Sequence, residues 1–248
     1  STNTDATHMT SCNGFIHLEG CQFQGAGDDS TNIHSYYYTI ADTGEPGVYD
    51  LSVQAPTFTH AQVLDYADPG DTLELVERDS LRPLAEYRVL TAANDVPGWR
   101  TRVRLDRPLP ADHGHLFLAD VTRQPEVRII NCMLRQHRGR GVLLKTRRAH
   151  VEGCTFEGLT GTPVFVGAEG GWHEGVTSHD IVIRHNWMID CNSGDRWAHG
   201  TCGVMVGIGA DKLDVPGLYR RIVIEDNIII GEGVAHAIYI NAGDQVVI

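Results

Sequence analysis

The feature that most constrains this chain is a repeated segment: a short β-branched strand, a Cys or Asn, then a large apolar residue two places on. It occurs as Phe15-Ile-His-Leu-Glu-Gly-Cys21-Gln-Phe23, Val127-Arg-Ile-Ile-Asn-Cys132-Met-Leu134 and His150-Val-Glu-Gly-Cys154-Thr-Phe156. It recurs as Ile181-Val-Ile-Arg-His-Asn186-Trp-Met188 and Ile222-Val-Ile-Glu-Asp-Asn227-Ile-Ile229. A second short strand usually follows: Asn32-Ile-His34, Val142-Leu-Leu-Lys145, Val164-Phe-Val166, Val204-Met-Val206 and Ile238-Tyr-Ile240. Cys132 and Cys154 stand 22 residues apart. Short strands at that period, with no helix between them, predict an all-β solenoid, a parallel β-helix.

In such a fold each coil lies ~4.8 Å above the last, and equivalent residues stack in columns. Cys21, Cys132, Cys154, Asn186 and Asn227 then form one column. An inward turn position suits a small thiol, or an Asn whose amide satisfies turn backbone. The six cysteines include no CxxC pair, which argues against a zinc knuckle; six would permit disulfides in a secreted protein, but the column positions read as stacked core thiols. No metal and no cofactor is expected. The longer steps to Asn186 and Asn227 need loops, supplied by Gly194–His199 and Ala210–Gly217.

From Cys21 to Cys132 the spacing is 111 residues, too long for a loop. Inside it Thr72–Val76, Leu84–Leu90 and Trp99–Leu105 alternate in polarity, which reads as antiparallel hairpins. The expected organisation is therefore β-helix coils over 1–54, a small inserted antiparallel β-barrel or sandwich over 55–122, and further coils over 123–248. The end, Asp244-Gln-Val-Val-Ile248, reads as mid-strand, so the chain is expected to be a segment of a longer protein. No charged stretch followed by an apolar one opens it, so a signal peptide is expected to be absent or removed. A secreted or periplasmic setting is expected.

Charge narrows the function. With 20 Lys and Arg against 32 Asp and Glu, the net charge is −12, which disfavours a nucleic-acid partner. No apolar run reaches the ~18 residues of a membrane span, so no membrane partner is expected.

The carboxylates point to chemistry. Asp28 and Asp29 end a coil turn in Gly27-Asp-Asp-Ser-Thr-Asn-Ile-His34. Asp5 lies one coil earlier, which sets it beside the pair. Three carboxylates on one surface raise one another's proton affinity, as a general acid beside a general base requires. Asp is also a common turn residue, and the three could merely punctuate turns. Counting from the column residue, Arg138, Arg140 and Lys145 fall on the next coil near Asp28, Asp29 and His34. Cations there would hold carboxylates ionised and donate to sugar hydroxyls, unless they are ordinary surface ion pairs. Glu169, Trp172 and Glu174 lie in a Gly-rich loop one coil further on. A Trp beside carboxylates suits sugar stacking, although Trp172 could equally cap the core.

Together, Asn3-Thr-Asp-Ala-Thr-His8, Gly27-Asp-Asp-Ser-Thr-Asn-Ile-His34, Pro69-Gly-Asp-Thr-Leu-Glu-Leu-Val76, Arg138-Gly-Arg-Gly-Val-Leu-Leu144 and Gly171-Trp-His-Glu-Gly175 resemble glycoside hydrolase family 110. The resemblance covers roughly residues 1–190. It implies a right-handed β-helix with an inserted barrel, and an exo-acting α-1,3-galactosidase that removes terminal galactose from a glycan with inversion. It departs from the family at Ser35, where Gly is usual. Polygalacturonases of family 28 carry a similar Asn-Thr-Asp and Gly-Asp-Asp on the same fold, but continue into Gly-His-Gly and Arg-x-Lys, which are absent here. By analogy with them, Asp29 is assigned as the acid and Asp5 with Asp28 as the base side, an order that could be reversed for the Asp28/Asp29 pair. Two other classes compete. One is a polysaccharide lyase with Ca²⁺ on the aspartates and Arg140 or Lys145 as base. The other is a non-catalytic carbohydrate-binding β-helix.

Overall fold

Each pass of the chain lays down short strands that pair, parallel and in sequence order, with those of the next pass. The structure is a computed structural model that describes residues 2–53, 66–194, 202–231 and 236–248. Most of the expected loop Gly194–His199 lies outside these residues.

Three ladders result. The first runs β2 (Phe15–Glu19), β10 (Glu126–Ile130), β13 (Arg148–Glu152), β17 (His179–Arg184), β20 (Tyr219–Glu225) and β23 (Gly243–Val247). The second runs β3 (Gln22–Gln24), β11 (Met133–Arg135), β14 (Thr155–Glu157), β18 (Trp187–Ile189) and β21 (Ile228–Ile230). The third joins β1 (Thr7–Thr10), β4 (Thr31–Asp42), β12 (Val142–Lys145), β15 (Val164–Val166), β19 (Cys202–Val206) and β22 (His236–Ile240). A 3-10 turn at Gly170–Trp172 is the one helical element among the described residues.

The turn between the first two ladders explains the repeat. Gly20, Asn131, Gly153, His185 and Asp226 all take positive φ there, between 53° and 65°. Gly tolerates that conformation best, and Asn, Asp and His better than most other residues. Each is followed by the column residue. Cys132 donates its backbone N–H to Cys154 Sγ, 22 residues on (3.4 Å), and Cys154 donates its own to Asn186 Oδ1, 32 residues on (2.9 Å). Asn186 donates from Nδ2 to Val151 O (3.0 Å) and to Asn227 Oδ1 (2.9 Å). The amide is buried and fully used, which pins the register of successive passes.

Val127, Ile129, Leu134, Val142, Leu144, Val151, Phe156, Val164 and Val166 fill the space between the ladders. Each such side chain contributes about 1.5–3 kcal/mol relative to exposure.

The inserted unit is a closed six-stranded antiparallel barrel. Its strand order is β4, β5 (Val48–Ser52), β8 (Arg100–Leu105), β7 (Pro83–Asp95), β6 (Thr72–Glu77) and β9 (Leu116–Asp120), and β9 pairs back on β4. Its strands therefore begin earlier in the chain than residue 55, because β4 serves both bodies. Its first half pairs with β1 and β12, and its second half with β5 and β9. Alternation sorts the Tyr run: Tyr36 and Tyr38 enter the barrel core, while Tyr37 enters the core between the ladders and stacks on Phe117 at 5.3 Å. The barrel leaves the ladders in step. Val142 pairs with Thr31 and Lys145 with His34, and Phe15 with Glu126, all in one register.

Candidate active site

The third ladder sets the candidate residues. Strand β1 pairs with β4 so that His8 meets Asn32, a displacement of 24 residues. Asp5, just before β1, is thereby level with Asp29, whose N–H donates to Asp5 Oδ1 at 3.2 Å. Strand β12 brings Arg140 level with Asp29. Gly139 lies between them: a Cβ there would sit 2.5 Å from Asp29 Oδ1 and 2.7 Å from the Asp28 backbone. The close approach of the two passes depends on that missing side chain.

A cavity of about 590 Å³ opens at this point. Asp28, Asp29, Arg138, Arg140, Glu169 and Trp172 line it, with Thr160, Thr162, Phe165, Met205 and Ile208 on the remaining wall. Its size suits a small-molecule or single-sugar site. Trp172 is 54% exposed and presents its ring at the mouth. Arg140 packs over Phe165, 5.1 Å from the ring centroid.

His34, Lys145 and Glu174 were expected to contact substrate. The structure puts them behind the wall instead: all three are buried, Lys145 completely. Ile33 and Leu144 face the core between the ladders, so alternation turns His34 and Lys145 to the opposite face, where Glu174, from the segment after the 3-10 turn, covers and pairs with them. Asp5, expected among the catalytic groups, also does not line the cavity.

Together these residues close a ring of charge. Asp29 accepts from Arg140, and Arg140 donates to Glu169 Oε1 (3.0 Å). Glu169 Oε2 meets Lys145 Nζ at 2.8 Å, and Lys145 donates to Glu174 Oε2 at 2.5 Å and to Asn32 Oδ1 at 3.1 Å. Glu174 Oε1 lies 3.5 Å from His34 Nε2, which lies 2.9 Å from His8 Nε2. His8 Nδ1 returns to Asp5 Oδ2 at 2.7 Å.

The electrostatics follow. Burial raises the Asp28 pKa, and the charges of Asp29 and Asp5 raise it further, so its carboxyl holds a proton more readily than usual. Burial would raise Glu174, but Lys145 and His34 overcome it and hold its pKa at about 2. Glu169 is lowered in the same way: burial opposes ionisation, and Lys145 and Arg140 outweigh it. Burial holds the His34 pKa at about 4, against the attraction of Glu174, so its ring is neutral at pH 7. His8 is raised, chiefly by its hydrogen bond to Asp5.

Two groups bring donor atoms within 4.8 Å of one another, Asp5–Asp28–Asp29 and His8–His34–Glu174. In the second, the two imidazoles are already each other's partners. With His8 Nδ1 also on Asp5, the cluster forms a hydrogen-bonded relay. His8, Asn32 and Gly139 were not singled out in the sequence. The signal for His8 was its position three residues after Asp5, in the motif that carries the resemblance.

No protein-family profile matches the chain. Among curated proteins, it is 29% identical over 90% of its length to alpha-1,3-galactosidase A of Bacteroides thetaiotaomicron, covering 38% of that protein. It is 26% identical over 91% of its length to alpha-1,3-galactosidase A of Bacteroides fragilis, covering 37%. It is 26% identical over 90% to alpha-1,3-galactosidase B of Akkermansia muciniphila, covering 28%. The chain thus spans well under half the length of these relatives. Among solved structures, the tailspike protein gp49 from Pseudomonas phage LKA1 aligns over 96% of this chain and 46% of its own, with 11% identity and a TM-score of 0.33, too distant to bear on the fold. The curated relatives bear out the resemblance to glycoside hydrolase family 110 that the motifs carry.

Proposed function

We propose that this chain carries the catalytic centre of an exo-acting glycoside hydrolase that removes terminal α-linked galactose from a glycan, on a right-handed parallel β-helix interrupted by the barrel. The observation that carries this is the pairing of Asp28 and Asp29 on the wall of one cavity, each in a different electrostatic setting. Asp28 is exposed and inclined to keep a proton. Asp29 is buried and gripped by Arg140. Two neighbouring carboxylates in such different surroundings, one exposed and one ion-paired, are suited to acid and base work. The roles follow: Asp28 protonates the departing oxygen, and Asp29, backed by Asp5, draws the proton from water. This reverses the order first assigned to the Asp pair. Trp172 offers a face for the sugar ring, and Arg138 a donor to its hydroxyls. A glycan substrate fits a secreted or periplasmic setting.

Inversion is the finer part of the proposal and rests on the family resemblance. Carboxyls of inverting pairs usually stand ~6.5–9.5 Å apart, and those of retaining pairs ~5–5.5 Å. One oxygen from each of the three aspartates lies within 4.8 Å of the others. Proton NMR of an α-1,3-linked galactoside decides between them. β-Galactose appearing first, with mutarotation later, supports inversion; α-galactose appearing first replaces it with retention. Absence of galactose release, with a chelator-sensitive rise in ultraviolet absorbance on uronates, would replace the hydrolase by a lyase.

A further inference from the structure

We propose that His8 is a positioning residue that stands as an imidazolium and keeps Asp5 ionised, its charge fixed by the tautomer of His34; the catalytic meaning of this rests on the proposed hydrolase reading.

The argument is one of donors and acceptors. His34 Nδ1 lies 2.9 Å from the backbone carbonyl of Ser35. A carbonyl only accepts, so the proton is on Nδ1. The His34 ring is buried and neutral, so its Nε2 carries a lone pair. His8 Nε2, 2.9 Å away, must therefore donate to it. The other nitrogen of His8 faces Asp5 Oδ2 at 2.7 Å. Asp5 Oδ1 already accepts the Asp29 N–H, as a carboxylate does. Imidazole is a stronger base than carboxylate, and the hydrogen bond to Asp5 raises the proton affinity of His8 further, so the proton between them belongs to His8 and both its ring nitrogens are protonated.

The surroundings agree. Facing His8 are Asp5 from the segment before β1, His34 from β4, Glu174 from the short strand β16 (Glu174–Gly175), and Lys145 from β12. The two carboxylates favour the imidazolium and Lys145 opposes it. A neutral His34 adds no competing charge and supplies an acceptor. In the proposed reaction Asp5 backs Asp29 as it takes a proton from water, and its negative charge helps Asp28 hold its own. A fixed cation on Asp5 keeps the base side ready without entering the cavity, since His8 is not among the residues that line it.

The test is long-range proton–nitrogen NMR of the histidine rings in the whole chain at pH 6.5, where an ordinary histidine is half charged. His8 is expected to show the doubly protonated pattern, and His34 the less common tautomer with its proton on Nδ1. In Asp5→Asn, the His8 titration is expected to fall back toward the ordinary value. With kinetics, His8→Ala is expected to lower kcat/KM about tenfold near neutrality and to move the acidic limb of the profile to higher pH, with KM unchanged. His8→Lys, which restores a cation, is expected to recover part of the loss. A neutral His8 at pH 6.5, a proton on His34 Nε2, or an acidic limb unmoved in an active His8→Ala enzyme would each overturn the inference. A wild-type chain that releases no galactose counts against the hydrolase reading, while the ring spectra decide the charge of His8 on their own.

Discussion

Arg140 holds Asp29 from two sides. Its backbone N–H donates to Oδ1 at 2.6 Å, its Nε to the same oxygen at 3.2 Å, and its Nη2 to Oδ2 at 3.1 Å. The same guanidinium reaches Glu169. One side chain thus fixes a carboxylate on the cavity wall and ties it to the buried charges behind. Burial alone would lower the Arg140 pKa, but Glu169 and Asp29 raise it far above the ordinary value, so the cation is permanent.

The two neighbouring aspartates should therefore fail differently. Asp28→Asn removes an exposed titrating group and is expected to lower kcat by at least ~10²-fold with little change in melting temperature. Asp29→Asn is expected to lose as much activity and also stability, because Arg140 loses one of its two charged partners. Arg140→Gln leaves Asp29 without its cation and Glu169 with Lys145 alone, and is expected to cost about 3 kcal/mol. Turnover assays with thermal melts on all three variants check this. An Asp28→Asn chain with normal turnover would make Asp28 a turn residue.

Gly139→Ala is expected to inactivate without touching any charged group. Two of the three nearest atoms to the new methyl would be backbone atoms of Asp28 and Asp29, which cannot swing aside as a flexible side chain can. Displacement of the pair by a few tenths of an ångström should reduce kcat by ~10²-fold, the scale of misplaced catalytic groups. Gly114→Ala, where a Cβ meets no atom within 4 Å, is the control expected to leave turnover unchanged. Equal activity of the two variants would remove close approach as the role of Gly139.

The columns and the site were legible to different degrees, for physical reasons. The column Cys21–Cys132–Cys154–Asn186–Asn227 showed because a buried turn admits few side chains, and each is preceded by a residue that tolerates positive φ. The placement of Arg140 beside Asp29 and Lys145 beside His34 showed because the barrel returns the chain in register. Three things were not legible. Alternation along β4 and β12 gives no sign that their outer face is covered, so His34 and Lys145 read as surface ligands, as did Glu174 in its Gly-rich loop. The sharing of β4 between two bodies hid behind an aromatic run. The spacing from Asp5 to its partner, 24 residues, was set by backbone pairing that a repeat count only approximates.

Thiol reactivity separates the inner column from its first member. Cys132, Cys154, Cys191 and Cys202 are buried, whereas Cys12 and Cys21 are half-buried. Burial pushes the Cys154 thiol up to about 12 and those of Cys191 and Cys202 to about 11. Thiolate is the reactive form. In the native chain a maleimide is expected to label Cys12 and Cys21 within minutes, and the other four only after denaturation. The half-burial of Cys21 corrects the expectation that the whole column is shielded. Fast labelling of Cys154 would show that the column is not packed as described.

Acid should unfold the chain in two windows. Buried His34 stays neutral down to about pH 4, while in the unfolded chain it takes up a proton below about 6.5. Between those values the unfolded state binds more protons, so stability falls as pH falls. The gap corresponds to about 3 kcal/mol. Glu174 works in the same direction lower down: with its folded pKa held at about 2 against an ordinary 4.5, its contribution is complete above 4.5 and is lost toward 2. Asp28 has the opposite sign, since a raised carboxyl contributes below its ordinary value and loses that as pH rises. His8, also raised, adds stability that is complete below about 6.5 and lost above it, a gentle opposing slope at neutral pH. His34→Gln is expected to flatten the melting temperature between pH 6.5 and 4 while leaving the lower window intact. Glu174→Gln, which costs Lys145 a partner, is expected to be less stable at pH 7 and flat below 4.5. A wild-type melting temperature that stays level from pH 6.5 to 4, or an unaltered slope in His34→Gln, would show that His34 is not held neutral in the folded chain.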